Sequence, residues 1–198
     1  MTVKISKGNK KIGKVWNISL TPVLSCPSGV PCAKDCYAMK AYKQYPNVRK
    51  AWDHNLREFM TDSEAYFDSI IDQLASYKGT TFRWHVAGDI PSQVYYNGMV
   101  RVAREYPKIQ FLAFTKNYYL SFGTLDHKMP KNLIIVMSAW PGLHLPAKCR
   151  DFPIAWISDD KRIDSLAVDP FECSDMCESC GMICFKLDKI IDVVFDLH

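Results

Sequence analysis

Phe82-Arg83-Trp84-His85-Val86-Ala87-Gly88-Asp89 is the stretch on which the fold turns. Its mostly apolar run reads as a strand stopped by Gly88-Asp89, and Ile90-Pro91-Ser92 then opens a segment carrying Val94, Met99, Val102 and Ala103 at helical spacing. A buried strand followed directly by an amphipathic helix is half of a βαβ unit. The alternation continues downstream, with strands predicted over Ile109–Thr115, Leu133–Ser138 and Ile154–Ser158, a short helix through Tyr119 and a closing strand over Ile190–Phe195. Upstream lie an extended segment at Val15–Leu20 and helical patterns over Ala33–Tyr45 and Val48–Met60. A third helix starts at Thr61-Asp62-Ser63-Glu64, capped by Thr61 or Asp62, with Phe67, Ile70, Ile71 and Leu74 on one face.

Apolar strands alternating with helices predict an α/β fold whose parallel sheet is covered on its faces. Either an open sheet or an incomplete, TIM-like βα barrel satisfies the pattern. The expectation is a single domain, with the partial barrel over about 12–160 and a cysteine-rich segment over about 165–198. In both architectures function gathers at the carboxyl ends of the strands. Small or polar residues stand there: Gly88 and Asp89, Thr115 and Lys116, Ser138, Ser158 and Asp159.

Composition narrows the class. At 198 residues, 48% hydrophobic and 13% aromatic, the chain has enough apolar mass for a core, which argues against disorder. Apolar runs such as Leu133–Met137 are far too short to cross a bilayer, so no membrane partner is expected. The N-terminus is basic without an apolar signal-like region, which predicts a cytoplasmic protein. The net charge of +4 is concentrated in Lys4, Lys7, Lys10, Lys11 and Lys14, followed by Lys40, Lys43, Arg49 and Lys50. A solvated basic face is the plain reading. Tyr42, Tyr45 and Trp52 interleave with those charges and keep a nucleic-acid partner as the alternative.

Eight cysteines in a reducing compartment point to metal binding or redox chemistry rather than disulfides. Cys26, Cys32 and Cys36 fall within eleven residues, with Pro27, Gly29 and Pro31 shaping the loop between the first two. Three thiolates leave one iron of a four-iron cluster open, whereas a closed zinc site needs a fourth ligand, such as Cys149 or a histidine. Cys173, Cys177, Cys180 and Cys184 supply four thiols in twelve residues. Those four suffice for a cubane cluster or a tetrahedral zinc knot that staples the chain end to the sheet. A third arrangement has the two groups share one cluster. Cys149 is a spare ligand, a reactive thiol or a buried residue.

A three-cysteine loop after the first strand, with Tyr37 straight after Cys36, resembles the radical S-adenosylmethionine enzymes. Their usual spacing is three then two intervening residues, where this loop has five then three. Gly88-Asp89 sits where those enzymes carry a Gly-Gly-Glu-like turn that meets the cofactor's amino group. More closely, Cys26-Pro27, Cys32, Cys36-Tyr37-Ala38, His85 to Asp89, Phe114-Thr115-Lys116 and the terminal cysteines resemble a phage-encoded family known as gene product eighty-eight. That resemblance covers nearly the whole chain, and the family has no settled activity.

Together the resemblances imply one or two 4Fe-4S clusters, an electron donor, an unidentified substrate and S-adenosylmethionine held at Gly88, Asp89, Thr115, Lys116 and Ser138. Auxiliary clusters in the radical enzymes favour iron at the terminal cysteines, with zinc the alternative. The residues also have plainer readings: Asp89 as N-cap of the helix entered at Pro91, Lys116 as a solvated charge, and His85 as a hydrogen-bonded core histidine in mid-strand, with a catalytic histidine as its alternative. Three functions follow: a minimal radical enzyme, a non-catalytic iron–sulfur protein for electron transfer, redox sensing or partner binding, and a zinc-stabilised nucleic-acid binder.

Overall fold

A computed structural model describes residues 2–123, 129–187 and 191–196. Strand β1 (Trp16–Ile18) leads through the first cysteine loop into helices α1 (Tyr37–Gln44), α2 (Pro46–Thr61) and α3 (Ser63–Leu74). Then come β2 (Thr81–Trp84), α4 (Gln93–Glu105), β3 (Gln110–Thr115), β4 (Leu133–Ser138), β5 (Ile154–Ile157), β6 (Phe171–Glu172) and β7 (Val193–Phe195). The strands form one sheet in the order β1-β2-β3-β4-β5-β7-β6. Every neighbouring pair is parallel, so all the carboxyl ends lie along one edge.

The α/β reading with a parallel sheet therefore holds. The sheet is open: β1 and β6 are its two margins, and among the described residues no pairing joins them. Strand β6 went unpredicted because two residues carry no periodicity. The closing strand is observed over Val193–Phe195, while Ile190 falls outside the described residues. The helix expected through Tyr119 is instead a turn in which the Tyr118 amide donates to the Lys116 carbonyl. No helix among the described residues is long and apolar enough to cross a membrane.

The two faces of the sheet are covered differently. On one, Phe82, Trp84, Phe111, Ala113, Ile135 and Trp156 pack against Phe59 of α2, Phe67 and Ile70 of α3, and Tyr95 and Met99 of α4. Aromatic edges fill this layer: the ring of Phe67 lies 5.1 Å from Tyr95 and 6.3 Å from Phe59 and Trp84. The other face, with Leu112, Phe114, Val136, Ala155 and Val193, meets Ile12, Val15 and the cysteine-rich segment through Met182, Ile183, Cys184, Phe185 and Leu187. That segment acts as a strap. It is pinned at one margin by the Cys173 amide donating to Val194 (2.9 Å), and near the other by the Cys177 amide donating to Lys11 (2.9 Å).

Helix starts follow local chemistry. Asp62 caps α3 by accepting from the Ala65 amide at 3.0 Å. Ser92 caps α4 by accepting from the Tyr95 amide at 3.2 Å. The cap expected from Asp89 is thus supplied three residues later, which frees that carboxylate for the strand ends.

Gly98 in α4 lies against Phe67, where an added Cβ would fall 2.1 Å from the ring. Gly98→Ala gains about 1 kcal/mol of helix propensity but forces a ring that is wedged among Phe59, Trp84 and Tyr95. Overpacking costs about 1–3 kcal/mol, so the expected outcome is a lowered denaturation midpoint; a raised one shows that the ring yields.

Candidate functional site

The carboxyl edge begins where β1 ends. From there the chain is stitched to the end of β2: the His85 amide donates to Ile18, the Leu20 amide to Ala87, and the Ala87 amide to Ser19 Oγ. Gly88 makes this approach possible. It adopts φ +83°, and a Cβ there would sit 2.4 Å from Ser25 Oγ and 3.0 Å from the Leu20 carbonyl. Ser25 hydrogen-bonds the Thr21 carbonyl through both its amide and its hydroxyl. Val23 takes a left-handed φ of +67° in the turn whose carbonyl accepts from the Cys26 amide. A β-branched residue held there is strained backbone of the kind that clusters at functional sites.

Asp53 of α2 ties this loop down, accepting from Thr21 Oγ1 at 2.7 Å and from the Tyr42 hydroxyl of α1 at 2.9 Å. Cys36 then immediately precedes α1, and Tyr37 folds back so that its hydroxyl donates to the Val86 carbonyl at 2.5 Å. The thiols of Cys26, Cys32 and Cys36 are half-buried and act on one another. Burial, then the Asp89 carboxylate, push the Cys26 thiol up to about 12. Burial raises Cys32 too, against the opposing charge of Lys116.

Asp89 lies beside this group, 6% exposed, with its oxygens already engaged. Oδ1 accepts from Thr115 Oγ1 (2.5 Å) and the Ile90 amide (2.6 Å), and Oδ2 from the Lys116 amide (2.8 Å). Burial raises its pKa and those hydrogen bonds oppose the rise. It clamps the end of β2 to the end of β3. The Lys116 ammonium stands 5.2 Å over the Trp140 ring, on a half-buried side chain. Ser138 ends β4, half-buried, and its carbonyl accepts from the Tyr118 hydroxyl. Tyr118, missed in the sequence, feels Asp89, Cys32 and Cys149 together. Cys149 is a buried core residue on the helix side of the sheet.

The terminal thiols form a second group. Left-handed turns at Asp175, Gly181 and Met182 wind the strap. The Met182 amide donates to Cys177 at 2.9 Å, and Cys180 lies within reach of the same carbonyl. Cys173, Cys177 and Cys180 all act on Cys184, which burial pushes up to about 12. Among the described residues no three histidine, cysteine, aspartate or glutamate side chains converge tightly enough to hold a single metal ion. The two groups thus lie in different surroundings: one in the loop after β1 beside Asp89 and Lys116, the other on the strap-covered face beside Arg83.

Arg83, also missed in the sequence, stacks over Phe114 at 4.3 Å. Its charge opposes the raised pKa of Cys177, Cys184 and Tyr37. The basic N-terminal face is partly committed elsewhere: Lys7 sits over Trp16, Lys11 pairs with Asp175 at 3.7 Å, and Tyr42 stacks on Trp52. A surface cavity of about 560 Å³ there is lined by Lys4, Lys50, Asp53, His54 and Arg57.

An open parallel sheet with a cysteine loop at its carboxyl edge and a cysteine-rich strap across one face defines an α/β protein with two thiol groups. The family model described as Gene product 88 matches residues 2–179, and the chain belongs to that family. It is 29% identical to the Gene 88 protein of Mycobacterium phage L5, over 98% of this chain and 83% of that one. It is 34% identical to the Gene 88 protein of Mycobacterium phage D29, over 70% of this chain and 63% of that one. No solved structure matches the chain.

His85 was expected in mid-strand. It lies just past β2 with φ +54°, buried, and neither ring nitrogen has a hydrogen-bond partner among the described residues. Burial, with Arg83 nearby, lowers its pKa from 6.5 to about 3. Below pH 6.5 the unfolded chain takes up a proton that the folded chain refuses. The stability contributed by the neutral ring is therefore present above pH 6.5 and lost on acidification toward pH 3. The loss is about 1.4 kcal/mol per pH unit. Denaturation midpoints should fall more steeply with acid for the wild type than for His85→Gln; parallel profiles would mean the ring is not held neutral.

Proposed function

We propose that the chain is an iron–sulfur protein that binds a 4Fe-4S cluster through Cys26, Cys32 and Cys36 at the strand ends. Cys173, Cys177, Cys180 and Cys184 hold a second metal centre, iron–sulfur or zinc, in the strap. The observation that carries this reading is the gathering of seven cysteines into two groups whose thiols act on one another. The donor type fits, since thiolates are soft ligands that select iron–sulfur clusters and zinc, and loading must draw the thiols of each group closer together than they stand among the described residues. Burial holds protons on Cys26 and Cys184, so metal must displace them, and loading weakens as pH falls. A structural role suits the strap, which has only short helical turns of its own.

When bound, a cluster with three protein thiolates supplies an iron open to a chelating ligand, together with one-electron chemistry. S-adenosylmethionine is the ligand suggested by the likeness to radical enzymes, with this sheet as the counterpart of their partial barrel. Lys116 is the cation beside Cys32 that suits such a ligand's carboxylate, and Gly88, Thr115 and Ser138 flank it at the strand ends. One observation favours a second reading, an electron carrier or redox sensor without cleavage. Asp89, the carboxylate assigned to the ligand's ammonium, already spends both oxygens on Thr115, Ile90 and Lys116. An electron donor and a reducing, cytoplasmic setting belong to either reading. A nucleic-acid partner would use the basic N-terminal groove.

Anaerobic purification with iron and acid-labile sulfide analysis tests the proposal. We expect both elements in the wild type and loss of the first cluster in the variant carrying Cys26→Ser, Cys32→Ser and Cys36→Ser. Zinc without sulfide in both groups overturns the iron assignment. Adding S-adenosylmethionine to the reduced protein then separates enzyme from carrier: 5′-deoxyadenosine marks the enzyme, and an unchanged EPR spectrum without product leaves the carrier.

A further inference from the structure

Arg83 stands where a charged side chain is least expected. Its neighbours in β2, Phe82 and Trp84, face the helical layer, so Arg83 projects from the opposite face, the one closed by the strap. In register it lies between Asn17 of β1 and Leu112 of β3. The guanidinium rests on Phe114, and its Nε is buried with no hydrogen-bond partner among the described residues. A buried guanidinium nitrogen without an acceptor costs free energy that stacking on a ring does not recover.

Four neutral thiols offer little to such a group. Four thiolates around a metal centre are anionic, and their sulfurs accept hydrogen bonds. Phe114, on which the guanidinium rests, belongs to the same apolar layer beneath the strap into which Cys177 and Cys184 pack. The packing thus brings a cation with one unpartnered nitrogen into the same layer as the thiols, from elements some ninety residues apart or more.

We propose that Arg83 is the counter-charge of the terminal thiolate centre, a positioning residue that stabilises the metal-loaded form of Cys173, Cys177, Cys180 and Cys184. This rests on the reading that those four cysteines hold metal. It extends that reading to a residue outside the ligand set, and it holds for zinc and iron alike, because either leaves the four-thiolate centre negative. Removing an outer group that interacts with ligating atoms typically costs about 10–100-fold in metal affinity.

The test uses the full chain carrying Cys26→Ser, Cys32→Ser and Cys36→Ser, so that only the strap binds metal. Metal released to a competing chelator is compared among Arg83, Arg83→Met and Arg83→Lys proteins, with thermal unfolding followed in parallel. Met keeps the apolar stem over Phe114 without the charge, and Lys keeps the charge without the planar fork. The expected result is metal release at least about tenfold easier for Arg83→Met, with Arg83→Lys close to the parent. Unchanged retention in Arg83→Met overturns the counter-charge while leaving the metal centre intact. Equal loss in both variants, tracking a common fall in melting temperature, assigns Arg83 to packing and also overturns it. If the triple-serine protein holds no metal at all, the terminal centre itself is refuted, and Arg83 with it. Should Arg83→Met not fold, Arg83→Gln takes its place in the same comparison.

Discussion

A parallel sheet has two apolar faces, and both must leave water. Here the helical layer, built chiefly from α2, α3 and α4, covers only one of them. Leu112, Phe114, Val136, Ala155 and Val193 on the other face are left to a segment of turns, single helical turns and cysteines. Regular elements hold themselves together through their own hydrogen-bond ladders. A strap of irregular backbone has fewer such bonds and needs an external constraint to stay down. Hydrogen bonds from the Cys173 and Cys177 amides to the Val194 and Lys11 carbonyls pin it at two points, and its four thiols are the groups through which metal would complete the constraint. Much else follows from this asymmetry, including why a cysteine group sits on the sheet and why an arginine lies beneath it.

The carboxyl edge depends on a different interaction. With all strands parallel, each ends at the same margin, and the groups there must be kept apart or bound together. Asp89 binds two of them. Its buried carboxylate takes a hydroxyl and two amides, which offsets the desolvation that raises its pKa. Gly88 next to it lets the loop from β1 come close enough to set Cys26 beside that carboxylate. The thiols consequently lie between an acidic group and the Lys116 ammonium: burial raises both Cys26 and Cys32, Asp89 adds to the rise at Cys26, and Lys116 opposes it at Cys32.

One charged group and one neutral imidazole are among the places where this fold departs from a satisfied core. Arg83 has a buried nitrogen without an acceptor, and His85 has two. They are separated in sequence by Trp84 alone, yet they belong to opposite sides of the strand end. Arg83 faces the strap, whereas His85 packs 5.1 Å from Tyr95 in the helical layer, with a left-handed backbone that terminates the strand. Unsatisfied polar groups and positive φ in the same few residues are expensive, and they concentrate at functional positions.

Much of this was legible in the sequence. Apolar runs alternating with helical periods predicted the parallel α/β sheet, since only a strand buried on both faces needs an unbroken apolar run. The β4 strand matches the prediction to the residue, and the two cysteine groups and the strand-end polar residues were visible from spacing alone. Tertiary structure decided what spacing has no access to. Asp89 and Ser92 are equally good helix caps as residue types, and only the approach of Thr115 and Lys116 across the sheet turned Asp89 into a clamp. His85 and Arg83 read as ordinary strand residues, because their significance lies in partners they lack or that arrive from distant segments. The covering of one sheet face by cysteines rather than helices was likewise invisible locally. The reason is the same throughout: periodicity records which side of an element is apolar, but not which distant segment will come to lie against it.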